Sequence, residues 1–256
     1  MDMQRFIGKV VVVTGAGSGI GEATARRFSQ EGACVVLAGR TKASLAAVAA
    51  DLPSDRTLVC KTDVSDVEEV DKLVAKTVKK FGRLDVLVSN AGVAAMGTVV
   101  SGKLKDWDRI MATNVGGVMH GARAAMPHLI ESRGCIVNVA SVSGLGGDWG
   151  LAFYNASKGA VVNLTRAMAM DHGQDGVRVN AVCPSLTVTD MTSGITRNEQ
   201  AMARFNARIP LGRGAEPSEV AAAIAFLASD DASFITGVNL PVDGGVTASN
   251  GQPRMG

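Results

Sequence analysis

Short valine-rich runs that do not alternate with polar residues recur along this chain, separated by longer stretches of helical spacing. No other feature constrains the fold so strongly. The runs are Val10–Thr14, Cys34–Ala38, Thr57–Lys61, Val86–Ser89, Cys135–Ala140, Val177–Cys183 and Gly237–Val242. Strands buried on both faces read this way, because neither side of the pleat meets water. Helical spacing marks Glu22–Glu31, with Ala23, Ala25 and Phe28 on one apolar side. It also marks Asp66–Phe81, where Val67, Val70, Val74 and Val78 recur behind a Ser65 cap. Leu104–Ile130, Tyr154–His172 and Glu216–Ser229 complete the set. Parallel strands need crossover connections, and the connections here are long enough to hold helices. The expectation is an α/β chain: a single-domain, Rossmann-type doubly wound parallel sheet of about seven strands with helices on both faces. No linker or repeat divides 1–256, so the cofactor half spans about 1–135 and the catalytic and substrate half about 136–256.

Composition narrows the function. Basic residues number 26 against 24 acidic ones, a formal charge of +2, which removes the basis for bulk binding to nucleic acid or a membrane surface. No stretch approaches the roughly 18 apolar residues of a membrane span. The N-terminal Met1–Gly19 segment enters a glycine loop too soon for a signal peptide. Cys34, Cys60, Cys135 and Cys183 fit neither zinc nor disulfide spacing and read as core thiols of a reducing cytoplasm, with no metal site.

The first run ends in Thr14-Gly15-Ala16-Gly17-Ser18-Gly19-Ile20-Gly21, and a helix follows at once. Glycines there let the backbone turn sharply and approach a pyrophosphate, while the helix start offers free N–H groups. Gly15, Ser18, Gly19, Ile20 and Gly21 are therefore assigned to a dinucleotide. At the end of the second run, Ala38-Gly39-Arg40-Thr41-Lys42 lacks the acid that holds a ribose hydroxyl in NAD sites. Arg40 there favours NADP by pairing a 2′-phosphate, with NAD as the alternative if Arg40 is only a surface cation.

Tyr154-Asn155-Ala156-Ser157-Lys158 puts a phenol and an amine on one helix face. An ammonium nearby favours the phenolate and draws an ordinary phenol pKa of about 10 toward the working range. Such a tyrosine exchanges a proton with a substrate oxygen while hydride moves between substrate carbon and a nicotinamide. Tyr154 is the chain's single tyrosine. Ser141, at the carboxyl edge of the fifth run, is placed to hydrogen-bond the same oxygen.

TGAGSGIG, the Tyr154–Lys158 pair and Ser141 thirteen residues before Tyr154 together resemble the short-chain dehydrogenase/reductase family. The resemblance covers nearly all 256 residues and implies further roles. Asp63 and Val64 would contact adenine, and Ser89-Asn90-Ala91-Gly92, with Ser for the family's first Asn, would line the cofactor. Asn114 would perturb a helix and hold a proton-relay water near Lys158. In Cys183-Pro184-Ser185-Leu186-Thr187-Val188-Thr189-Asp190-Met191, Pro184, Thr187 and Thr189 would meet the nicotinamide, with Ser185 replacing a glycine. The polar segment 191–209 reads as a mobile lid. Leu211-Gly212-Arg213 and Val242-Asp243-Gly244-Gly245 resemble parts of a homotetramer-forming half.

The stretch 141–150 and the tail Asn250-Gly251-Gln252-Pro253 are similar to the branch of the family that interconverts 2,3-butanediol and acetoin. There Ser143 and Trp149 are the substrate-side candidates. The reading is an NAD(P)-dependent oxidoreductase of a small secondary alcohol or ketone. A 3-oxoacyl carrier-protein reductase, a hydroxysteroid or carbonyl reductase, and a non-catalytic nucleotide-binding regulator remain open.

Overall fold

The computed structural model describes residues 4–252; Pro253, the last residue of the tail motif, lies outside them. Its strands are β1 (Val10–Thr14), β2 (Cys34–Gly39), β3 (Thr57–Lys61), β4 (Val86–Ser89), β5 (Cys135–Val139), β6 (Arg178–Pro184) and β7 (Asn239–Val242). They form one parallel sheet in the order β3-β2-β1-β4-β5-β6-β7. The helices are α1 (Gly19–Gln30), α2 (Lys42–Ala49), α3 (Val67–Phe81), α4 (Leu104–Ile110), α5 (Gly117–Ser132), α6 (Ala152–His172), α7 (Ser193–Thr196), α8 (Glu199–Asn206) and α9 (Pro217–Ala228).

The unbroken valine runs are explained by two apolar layers. Val11 and Val13 of β1 face a cluster with Phe28 of α1, Leu45 of α2 and Ile224 of α9. Val12 faces the opposite cluster, with Leu73 of α3, Leu129 of α5 and Val161 of α6. Successive residues of a strand point to opposite faces, so both must be apolar.

Three local expectations change. The cap of α3 is Asp66, whose carboxylate accepts from Glu68 N and Glu69 N, while the Ser65 hydroxyl donates to Asp63. Helix α1 begins at Gly19, inside the glycine turn rather than after it. The long helix expected over Leu104–Ile130 is interrupted by a π-helical turn at Met111–Gly116, between α4 and α5.

The starts of the two central strands are tied by buried Asp85. Its carboxylate accepts from Val10 N at 2.9 Å and from Arg83 at 2.6 and 2.8 Å, with Lys9 at 3.5 Å. The backbone carbonyl of Asp85 accepts from Cys135 N at 2.9 Å, extending the tie to β5. Removing the carboxylate orphans a buried amide as well as the cations. Asp85→Ala is therefore expected to lower unfolding free energy by about 2–4 kcal/mol in urea titrations, and Asp85→Asn by less.

Candidate active site

The strand order reverses between β1 and β4, and their carboxyl ends diverge into a crevice. A cleft of about 290 Å³ opens there. Its walls come from the Gly15–Gly21 turn, Gly39 and Arg40, residues 62–64, residues 90–93, residues 139–141, Tyr154, Lys158 and the segment after β6. The structure thus gathers Gly15, Ser18, Gly19, Ile20, Gly21, Arg40, Asp63, Val64, Asn90, Ala91, Gly92, Pro184, Thr187 and Thr189 around one space, together with Ser141, Tyr154 and Lys158.

A clasp at the switch point shapes the floor. Thr14 Oγ1 accepts from Asn90 N at 2.9 Å and Ala91 N at 3.1 Å, and the Asn90 amide donates to the carbonyls of Thr14 and Gly15. A Cβ on Gly21 would lie 2.1 Å from the Gly15 carbonyl oxygen, so only glycine allows the helix to start this close to the strand. Gly15 takes φ +65°, in the left-handed region. Ser18, the residue before α1, makes no side-chain cap bond, leaving the first amides of that helix to a ligand. The cradle and the uncapped helix start fit a pyrophosphate, and the cleft is long enough to reach from Arg40 to Tyr154. A bound nicotinamide would supply the hydride acceptor or donor. Ser89, where the family has Asn, leaves its hydroxyl buried without a protein partner.

Tyr154 and Lys158 stand in the first two turns of α6. The Lys158 Nζ lies 5.6 Å from the centre of the Tyr154 ring and donates to the Val139 carbonyl at 2.7 Å. Burial disfavours the ammonium and lowers the Lys158 pKa to about 8. Burial also raises the Tyr154 phenol above its ordinary value; a Ser141 hydrogen bond works against this, and the Asp148 charge adds to it. The expectation that the ammonium draws the phenol down is therefore reversed in this structure. Burial is the largest influence on the phenol, and the amine, 5.6 Å from the ring centre, is not among the groups that shift it; the amine donates instead to Val139 O. With its proton held, Tyr154 is set up as a general acid toward a carbonyl oxygen.

Asn114 lies in the π-helical turn and is 1% exposed. Its Oδ1 accepts from Val93 N at 2.8 Å; its amide donates to Val93 O at 2.9 Å and to Ser157 Oγ at 3.0 Å. These bonds pull the backbone out of α-helical register and pin the segment after β4 to the catalytic helix. Ser157 joins the site without a sequence signal of its own; it donates to the Tyr154 carbonyl at 2.8 Å while accepting from Asn114. Thr192 is a further residue that sequence reasoning does not single out. It pairs reciprocally with Thr189 and donates to Thr187 O at 2.6 Å, holding the turn after β6; the Thr-x-x-Thr spacing is its trace in the sequence.

Ser143 is buried beside Ser141 rather than in the cleft wall. Trp149 stands 98% exposed and does not line the cleft, so its expected place in the substrate pocket is not met by the geometry. The glycine-rich loop around it projects outward, and a Cβ at Gly146 or Gly147 would meet no atom within 4 Å. Ser185 is not forced into a glycine-only conformation: Arg133 is the sole non-glycine residue with positive φ among the described residues. Its hydroxyl instead donates to Asp243 O at 3.1 Å. The segment 191–209 holds α7 and α8, and Met191 and Thr192 reach the cleft.

The buried amine carries a stability signature. Because the folded chain holds Lys158 near pKa 8 against an ordinary 10.5, the unfolded chain binds more protons between those values. Stability from this group accordingly rises with pH across pH 8 to 10.5, by on the order of 3 kcal/mol. Lys158→Met is expected to be the more stable protein near neutrality and to lose that rise, as read by urea unfolding at stepped pH. A constant difference between the two proteins over that range would contradict the burial argument.

Comparison with known proteins agrees with the geometry. A family model described as enoyl-(acyl carrier protein) reductase matches residues 15–247. Meso-2,3-butanediol dehydrogenase of Serratia marcescens is 59% identical over 251 residues, covering 98% of this chain and 99% of that one. A 3-oxoacyl-[acyl-carrier-protein] reductase of Thermotoga maritima is 40% identical, covering 94% and 99%. The crystal structure of a 3-ketoacyl-(acyl-carrier-protein) reductase from Brucella melitensis complexed with NADH superposes with a TM-score of 0.89 at 38% identity, covering 94% and 99%. No helix among the described residues is long and apolar enough to cross a membrane. With its doubly wound sheet, switch-point cleft and Ser–Tyr–Lys arrangement, the chain belongs to the short-chain dehydrogenase/reductase family and is an oxidoreductase acting on CH–OH groups.

Proposed function

We propose that this enzyme interconverts a small vicinal diol and its hydroxyketone, 2,3-butanediol and acetoin or close analogues, using NADP(H) in preference to NAD(H), as a cytoplasmic homotetramer. The observation that carries the reaction is the convergence of Ser141, Tyr154 and Lys158 on one end of the cleft that begins at the glycine turn. The diol substrate is supported by the identity to the Serratia enzyme. The cofactor preference is supported by Gly39 at the end of β2, where an acid would repel a 2′-phosphate, and by exposed Arg40 at the cleft edge. Exposed Leu104, Trp107 and Met119 on α4 and α5 support association between copies.

In this reading the substrate oxygen sits between Ser141 and Tyr154. Tyr154 gives its proton to that oxygen in reduction and recovers one in oxidation. Lys158 supports the charged phenolate that is left after reduction and that oxidation needs at its start, and its own depressed pKa lets it pass a proton onward. The 3-oxoacyl carrier-protein reductase reading is separated by assay on an acetoacetyl thioester beside diacetyl and acetoin, with NADPH and NADH. Faster turnover of the thioester would replace the diol reading, and nucleotide binding without turnover of any ketone would favour a regulator.

Tyr154→Phe is expected to lower kcat on the order of 10³-fold while leaving nucleotide affinity within about twofold. Arg40→Ala is expected to weaken NADPH on the order of tenfold or more in a fluorescence titration and to leave NADH nearly unchanged. Equal losses for both nucleotides would reject the cofactor preference.

A further inference from the structure

Behind Ser141 runs a short polar chain that the reaction as described does not use. Ser141 Oγ donates to Ser143 Oγ at 3.1 Å, and Ser143 Oγ in turn donates to the carboxylate of Asp148. Ser143 N donates back to Ser141 Oγ at 3.1 Å. Both serines are buried, and the chain ends at Asp148 on the exposed 145–149 loop. That loop is not free to drift: Asp148 N donates to Asn155 Oδ1 at 3.1 Å, and the Asn155 amide donates to the carbonyls of Asp148 and Leu151. Asn155 is the neighbour of Tyr154 on α6, so the backbone of Asp148 is stapled to the helix that carries the acid.

A carboxylate only accepts, so it sets the direction of the chain. With the Ser143 proton committed to Asp148, Ser143 Oγ can only accept from Ser141; together with the Ser143 N–H donated to Ser141 Oγ this fixes the Ser141 oxygen, whose proton turns from Ser143 to a substrate oxygen when one binds. We propose that Asp148 is a positioning residue for the proposed oxidoreduction, acting through Ser143 to fix Ser141 Oγ and held by Asn155 against the start of the helix that carries Tyr154. This inference rests on the reading of Ser141 and Tyr154 given above. It concerns a residue that touches neither the cleft wall nor, by this geometry, the reacting atoms.

The titratable groups around Tyr154 are Lys158 on the same helix, with Nζ 5.6 Å from the ring centre, Asp148 on the 145–149 loop, and the neutral Cys183 thiol of β6, which acts on Lys158. Arg40, Asp63 and Asp190 line the same cleft. Among these, Asp148 is the group whose negative charge opposes the phenolate. Its removal therefore moves the phenol titration to lower pH.

Because Tyr154 is the chain's single tyrosine, its ultraviolet tyrosinate band reports this group with no assay of turnover. In Asp148→Asn, which keeps a hydrogen-bond acceptor but loses the charge, the tyrosinate midpoint is expected at lower pH than in the unaltered enzyme, with kcat/KM within about threefold at neutral pH. Asp148→Ala removes the acceptor as well and should lower kcat/KM on the order of tenfold. Ser143→Ala should do the same, and the double variant should lose no more than either single one, since both break one chain. Multiplying losses, or a tyrosinate midpoint in Asp148→Asn equal to the unaltered one, would overturn the proposal. If Asp148→Ala unfolds, the Asp148→Asn titration and the Ser143→Ala rate still decide it. If the unaltered enzyme turned over no ketone, the oxidoreductase reading would fall, while a shifted tyrosinate midpoint would still uphold the coupling of Asp148 to Tyr154.

Discussion

The meeting of β1 and β4 at their carboxyl ends is the constraint on which the rest of this molecule depends. The Thr14 hydroxyl and the Asn90 amide clasp the two strands just where the sheet reverses its order. That clasp brings the glycine turn, the segment 90–93 and the start of α1 within reach of one ligand. The approach is so close that a single methyl at Gly21 would collide with the Gly15 carbonyl. Everything downstream inherits this geometry, including the crevice that runs from Arg40 to the catalytic helix.

The second theme is dryness. Lys158 is buried and Tyr154 half-buried in the cleft wall, and the desolvation penalty falls on the charged form of each. The protein alone thus keeps a neutral phenol beside an amine poised near pH 8, so the phenol holds its proton more tightly than the amine does and parts with it only as charge develops on a substrate oxygen. The charge expected to drive the phenol toward phenolate does not act there, and the loss of solvent sets the direction of its shift. Ser141 is the hydrogen-bond partner that works in the opposite sense.

Much of the architecture is legible from residues alone because its cause is periodic. Val10–Thr14 and Val86–Ser89 are strands with the limits their apolar runs suggest, since both faces of each are covered, and the half-buried edge strand Thr57–Lys61 keeps its limits too. Helix α2 is not legible: in eight residues only Leu45 and Val48 are buried, too few for a period to show. The cap of α3 slips by one because Ser65 and Asp66 are both good caps, and the choice between them depends on Asp63, which occupies the serine. In the cleft, residues carried by motif are legible, whereas Ser157, Thr192 and the outward turn of Trp149 depend on contacts between distant segments. The direction of the Tyr154 shift escapes the sequence for the same reason, because burial is a property of the folded interior and not of a four-residue spacing.

The wide turn at Met111–Gly116 has an arithmetic consequence. One residue of helix advances the chain by about 100° around its axis. The π turn absorbs one residue beyond the α count, so deleting one residue there would let the backbone settle into regular α geometry with Val118, Ala122, Ala125 and Leu129 still facing the sheet. The same deletion in the regular turns of α5 would swing everything beyond it by that angle. What a deletion at the wide turn removes is the bulge that carries Asn114 to Val93 and Ser157.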